Sequence, residues 1–289
     1  MRGKMVPPLA VYLACMAAMQ LIRAAVSSGP PLTQDLVELK PGTFFYRSSG
    51  EFSRSGKTIV PPMVLAAIGD HLYIMKHQVT SAEYQRCVEA KACSKISTDA
   101  PAEYQPVVKI SWLDATAYAH WLSNATGSVF RLPTDEEWAF AAAERFSDDG
   151  AANGSDATDP GQSALAAYAR DVARSEAIDR SPRRLGSFGA NANGLLDMAG
   201  NVWEWTSTCY VRTTIDRRSS VVAATRNCGV RVVEGAHRTY LTDFIRDPRA
   251  GGCSIGVPPS NLGFRLLRDD SLSLPAWITI RALRLMGSD

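Results

Sequence analysis

At 289 residues the chain is long enough for about two domains or one large one. Its 31 Lys and Arg stand against 29 Asp and Glu, a net of +2, and that near-balance argues against a general nucleic-acid binder. A hydrophobic share of 46% argues against disorder, and the lack of any internal repeat argues against a solenoid or propeller.

Residues 1–26 have the three-part pattern of a secretory signal. Arg2 and Lys4 give a positive start, Met5–Ile22 is almost wholly apolar, and small residues from Ala24 to Ser28 offer a cleavage point. The apolar run reaches the lower edge of what spans a bilayer, so the alternative is an uncleaved signal-anchor, the only membrane contact the sequence suggests. Pro7, Pro8 and Gln20 weaken a membrane helix and favour cleavage. The expected location is periplasmic or secreted. Cys15 leaves with the signal, and Cys87, Cys93, Cys209, Cys228 and Cys253 remain. In an oxidising compartment pairing is the default, and an odd number leaves one thiol over. Cys87 and Cys93 are near enough in sequence to close a small loop.

Val37–Leu39 and Thr43–Tyr46 read as short strands around Pro41-Gly42, and Leu72–Met75 as another. Thr80 caps a helix with Glu83 three residues on, a capping box, and Tyr84, Cys87 and Val88 share one face of it. A short strand is expected from Pro106 to Ser111. Ser111 then caps a helix over Leu113–Asn124, with Ala115, Ala119 and Leu122 at helical spacing and Gly127 as the stop. Thr134 and Glu137 open a third helix with Trp138, Ala141 and Ala142 on its apolar face. Residues 147–163 read as a surface loop. From there to Phe264, short apolar pieces alternate with Gly and Asn, and loops are expected to outweigh regular structure. Leu272–Met286 reads as an amphipathic or strand-like tail. The tryptophans Trp112, Trp121, Trp138, Trp203 and Trp205 read mostly as core area rather than a binding platform.

Four stretches converge: PVVKISW at 106–112, RLPTDEEW at 131–138, NGLLDMAGNVWEW at 193–205 and NLGFR at 261–265. In order and spacing they resemble the formylglycine-generating-enzyme (sulfatase-modifying-factor) family over roughly residues 35–268. That resemblance implies one compact α+β domain of the C-type-lectin-like kind with little regular secondary structure, in place of two domains, followed by a tail at 269–289. It also implies a second disulfide, Cys209 with Cys228, which leaves Cys253 as the free thiol.

The resemblance places a structural Ca²⁺ on Asp197, Gly200, Val202 and Glu204, the middle two acting through backbone carbonyls. Two carboxylates flanking carbonyls make an all-oxygen cage that suits a hard cation. The alternative is that Glu204 bonds backbone amides and no metal binds. The family's other calcium site finds no clear match in Ala167–Asp179. In the oxidase branch, cysteines flank a His-Arg-Ser-Tyr string, bind Cu(I) and activate O₂. This chain has His237-Arg238-Thr239-Tyr240 flanked by Ala236 and Leu241, which cannot ligate copper. The His-x₃-His-x-Glu iron motif of the ergothioneine-type branch is absent as well, since His71, His77, His120 and His237 do not form it.

The candidate catalytic set is therefore His237, Arg238, Tyr240, Arg246, Asp247 and Cys253, with a redox metal of unspecified identity. Cationic neighbours would favour a Cys253 thiolate. The alternatives are a salt-bridged loop scaffold and an inert buried cysteine. The strings at 244–247 and 251–253 resemble exported members without the copper pair, the pyoverdine-maturation protein and the accessory protein encoded beside copper nitrite reductases. The expected function is oxidative maturation of a periplasmic small molecule or protein in a surface groove, by a metal- or O₂-dependent oxidoreductase that does not make formylglycine. The alternative is a non-catalytic binding or accessory module for a periplasmic redox enzyme such as nitrite reductase.

Overall fold

A computed structural model describes residues 34–96, 103–147, 181–248 and 261–271. The expected signal, the loop beyond Ser147, the Ala167–Asp179 segment, Cys253 and the tail from Leu272 lie outside these residues. Three capping boxes set three helices. Thr80 accepts from the Glu83 amide at 3.1 Å while Glu83 accepts from the Thr80 amide at 2.8 Å, opening α1 (Ser81–Glu89). Ser111 with Asp114 opens α2 (Trp112–Thr126), and Thr134 with Glu137 opens α3 (Asp135–Ala142). Each box satisfies two otherwise orphaned amides at a helix start. Gly127 ends α2 at a left-handed φ of 77°, a conformation that costs glycine little.

Twelve strands accompany the helices among the described residues. Leu36–Leu39 (β1), Leu72–Met75 (β6), Phe130–Arg131 (β7) and Leu267–Arg268 (β12) form one sheet in the order β1-β6-β12-β7. Gly42–Arg47 (β2) pairs with Met63–Ile68 (β5). The largest sheet runs β10-β9-β8-β3-β4, from Thr239–Thr242, Val221–Glu234, Trp203–Ile215, Glu51–Arg54 and Lys57–Ile59, and Leu262–Gly263 (β11) joins β8 in parallel. The core lies between α3 and the β1–β6 sheet, where Leu39, Ile74, Trp138, Leu195, Met198 and Leu267 pack together.

One sequence expectation is corrected. No strand precedes Ser111: Pro106 makes an isolated bridge with Thr80, and Lys109 has a φ of 59°, which breaks an extended run. Within the stretch that runs to Phe264, β8 and β9 are long strands of 13 and 14 residues that the sequence reading did not single out. Thr, Val, Tyr and Trp give β8 high strand propensity. Both disulfides form as expected, Cys87–Cys93 across the end of α1 and Cys209–Cys228 across the β8–β9 ribbon. Of the five tryptophans among the described residues, Trp138 and Trp205 are fully buried, and Trp112, Trp121 and Trp203 are half-buried.

Candidate functional site

The His-Arg-Thr-Tyr string forms the corner where β9 turns into β10. The corner begins at Gly235, where an added Cβ would lie 2.5 Å from the Trp203 ring, so the indole packs directly on backbone. Trp203 Nε1 donates to the His237 carbonyl at 3.2 Å, and the His237 ring stands edge-on to the same indole. His237 is 8% exposed, and its Nδ1 lies 3.1 Å from the Arg238 carbonyl.

Arg238 enters a buried ion cluster. Its Nε donates to Glu234 at 2.7 Å and lies 3.4 Å from Asp135 Oδ1, and its Nη1 donates to the Arg47 carbonyl at 2.9 Å. The guanidinium lies over the rings of Tyr46 and Phe146. Tyr46 donates its hydroxyl to Asp135 Oδ2. Glu234 and Asp135 lie beside each other in this cluster, and each acts on the other's ionisation. Burial pushes Glu234 well above the usual carboxylate range, and the Asp135 charge adds to that against the pull of Arg238. Burial also works against Asp135 ionising, but Arg238 and the bonds from Glu234 and Tyr46 hold it low. A neutral Glu234 beside an ionised Asp135 and a cationic Arg238 leaves the cluster with no net charge, which makes its burial tolerable. Tyr240 accepts the Gly50 amide at 2.7 Å, and its hydroxyl is pushed up, chiefly by burial.

Arg246 and Asp247 lie elsewhere. Arg246 grips Asp114 with Nε and Nη2 at 2.7 and 2.6 Å, stapling the segment after β10 to the start of α2. Burial opposes ionisation of Asp114, but the bonds from Arg246 and Ser111 hold it below the usual carboxylate range. Asp247 is half-buried in the turn beyond. The structure thus brings Arg238 and Tyr240 together, sets His237 against Trp203, and sends Arg246 to Asp114.

The turn from Asp197 to Glu204 departs from its expected use. The Asp197 carboxylate accepts the Gly186 and Phe188 amides at 2.6 and 2.8 Å, so its side chain is committed to backbone. Glu204 accepts Arg265 on both oxygens, at 2.7 and 2.8 Å, and Trp138 Nε1 at 2.9 Å. It bonds side chains, not the backbone amides of the metal-free alternative. The Asp197 carbonyl, the Gly200 carbonyl and Glu204 Oε1 converge on Gln78 Nε2, at 3.3, 3.2 and 2.8 Å. An amide nitrogen has two hydrogens and cannot serve three acceptors well. Gln78 Oε1, meanwhile, is buried with no partner. Exchanging the two amide atoms, which are nearly isosteric, would place a fourth oxygen in the cluster. That exchange is repulsive unless a cation sits among the oxygens. The donor set fits a hard cation, with Gln78 as a ligand and Asp197 contributing its carbonyl.

Sequence reasoning missed Gln78, Asp135, Glu234 and Tyr46. Asp135 carried a signal, as a carboxylate just inside a capping box. Glu234 stands beside the His-Arg-Thr-Tyr string. Tyr46 lies 89 residues from its partner, and nothing local marks it.

The sequence matches the sulfatase-modifying factor enzyme 1-like domain over residues 23–270. It is 32% identical over 175 residues to a formylglycine-generating enzyme of Streptomyces coelicolor, covering 58% of this chain and 54% of that protein. It is 33% identical over 169 residues to the inactive C-alpha-formylglycine-generating enzyme 2 of Mus musculus, covering 55% and 48%. The chain therefore spans about half the length of these curated relatives. Among solved structures, PvdO from Pseudomonas aeruginosa aligns at a TM-score of 0.52 and 19% identity, over 84% of this chain and all of that one. That likeness bears on fold, and it agrees with the expected C-type-lectin-like α+β domain.

Proposed function

The chain belongs to the sulfatase-modifying factor enzyme 1-like domain family, and we propose that it is an exported member that makes no formylglycine and acts as a binding or accessory module for a redox enzyme or its substrate. One observation carries this reading: the side chains that flank the lost thiolates are used to hold the corner together. Arg238 is held between the buried Glu234 and Asp135, Tyr240 accepts a backbone amide, and His237 packs on Trp203. Ala236 and Leu241 supply no metal ligand between them. A relative named as inactive, at an identity close to that of relatives named as enzymes, supports the same direction. Export rests on the pattern of residues 1–26.

Calcium has a structural part in this reading. Asp197, Gly200, Val202 and Glu204, joined by Gln78, would hold it, and when bound it would fix the turn that carries Trp203 to the corner. No reaction step passes through it.

The test is an oxygen electrode with the purified full chain, cysteine peptides and catechol-like phenols, alongside metal analysis. The expected result is no O₂ uptake above the protein-free rate and no copper or iron. Uptake that saturates with substrate and disappears in Cys253→Ala or His237→Ala would overturn the reading and favour oxidative maturation at those residues.

A further inference from the structure

We propose that the outer edge of β9, from Val221 to Asn227, is a docking strand that takes an extended acidic segment of a partner protein into the largest sheet. The inner edge is occupied, since β8 pairs with β9 from Tyr210 opposite Asn227 to Ile215 opposite Val221. On the other side β10 pairs only with Val230–Val233, and the last bond on that side is from the Asp243 amide to the Gly229 carbonyl at 3.0 Å. Asn227 Oδ1 then caps the Gly229 amide at 3.0 Å. Among the described residues no backbone bonds the edge beyond that point, and every residue from Val221 to Gly229 is exposed.

An open edge of this length is ordinarily guarded by proline, inward charge or cover. Here it is Val-Val-Ala-Ala-Thr-Arg-Asn, with no proline and no acid. Ala223, Ala224 and Thr225 are short and leave the backbone accessible. Val221 and Val222 are 64% and 67% exposed and would gain cover from an added strand. The Cys209–Cys228 disulfide clamps the root of the ribbon, so less ordering is left to be done on binding. These features suit strand addition, in which main-chain bonds give affinity and neighbouring side chains give selectivity.

Charge selects the occupant. Four cations, Arg212, Arg217, Arg218 and Arg226, stand on the outer part of the ribbon, residues 210–227, against one acid, Asp216. The resulting +3 sits on a chain whose total is +2, so positive charge is concentrated at this end. A second copy of the chain would bring two such ribbons together and be repelled. An acidic strand is attracted, more strongly at low salt. The inference does not rest on what the His237 corner does.

The test is amide hydrogen exchange on the full chain with three probes: a peptide of alternating Glu and Val, its Gln counterpart, and phosphatidylglycerol vesicles. The Glu peptide should slow exchange in Val221–Asn227 about tenfold or more at saturation, and the Gln peptide should bind at least about tenfold more weakly. Arg217→Glu with Arg218→Glu, surface changes that leave the ladder intact, should weaken the Glu peptide by a similar factor. No slowing at Val221–Asn227 with the Glu peptide would overturn the proposal. So would equal binding of the two peptides, or slowing by vesicles alone, which would make the tip a lipid-facing surface.

Discussion

Replacing Glu234 with glutamine should stabilise the protein increasingly as the pH rises. In the folded chain Glu234 keeps its proton, because burial and the neighbouring Asp135 charge outweigh the pull of Arg238. In the unfolded chain the proton leaves near the ordinary value of 4.5. A raised folded value means that the contribution to stability is complete below 4.5 and is lost as the pH climbs toward the folded value. Within that window the folded state holds one more proton than the unfolded state, so unfolding becomes easier by about 1.4 kcal/mol per pH unit. Glutamine keeps an N–H donor for Asp135 and an oxygen for Arg238 Nε, and it does not titrate. The stability difference, variant minus wild type, should therefore grow as the pH rises above 4.5. Asp135 has the opposite sign, its contribution being lost only as the pH falls through a depressed value, and it largely cancels in the difference. Urea unfolding followed by tryptophan fluorescence at pH 5, 6 and 7 gives the three differences. A difference that stays flat would mean that Glu234 is ionised in the folded protein.

Gln78→Glu should make stability depend more on calcium: the added carboxylate repels the Asp197 and Gly200 carbonyls in chelator and is rescued by the ion. Calcium at a hundred times its Kd should raise stability by about 2.7 kcal/mol, and melting curves unmoved by calcium and chelator in both proteins would remove the site. Reducing Cys209–Cys228, or replacing both with Ala, should cost about 3 kcal/mol in the chain-entropy view, measured by denaturant unfolding, and a cost near zero would show that the ribbon is held by its ladder alone. Gly235→Ala should cost about 1–3 kcal/mol by overpacking and change the Trp203 emission, whereas unchanged stability and spectrum would mean that the indole does not lie on that glycine.

What the sequence disclosed was mostly local. All three helices were legible because a helix start is written within four residues, as a capping box at Thr80 and Thr134 and as a cap at Ser111, and each is followed by an apolar face at helical spacing. The β8–β9 ribbon was not. Both faces of its outer part meet solvent, so Val221–Gly229 lacks the alternation that marks a half-buried strand. The strand expected before Ser111 failed through one left-handed residue, Lys109, that composition does not mark. At the corner the string His237–Tyr240 could be found, but not its environment. Arg238 meets Asp135 across about a hundred positions, and Gln78 meets Glu204 across 126. Those contacts belong to the fold, and a scan along the chain has no term for them.

The central claim is that the corner between β9 and β10 is scaffold and holds no copper. Anaerobic titration of the metal-stripped full chain with Cu(I), against a chelator of known affinity, tests it most directly. The account predicts no copper taken from the chelator, and a melting temperature unmoved by Cu(I). Tight uptake of one equivalent, lost in His237→Ala or Cys253→Ala with the fold intact, would contradict it.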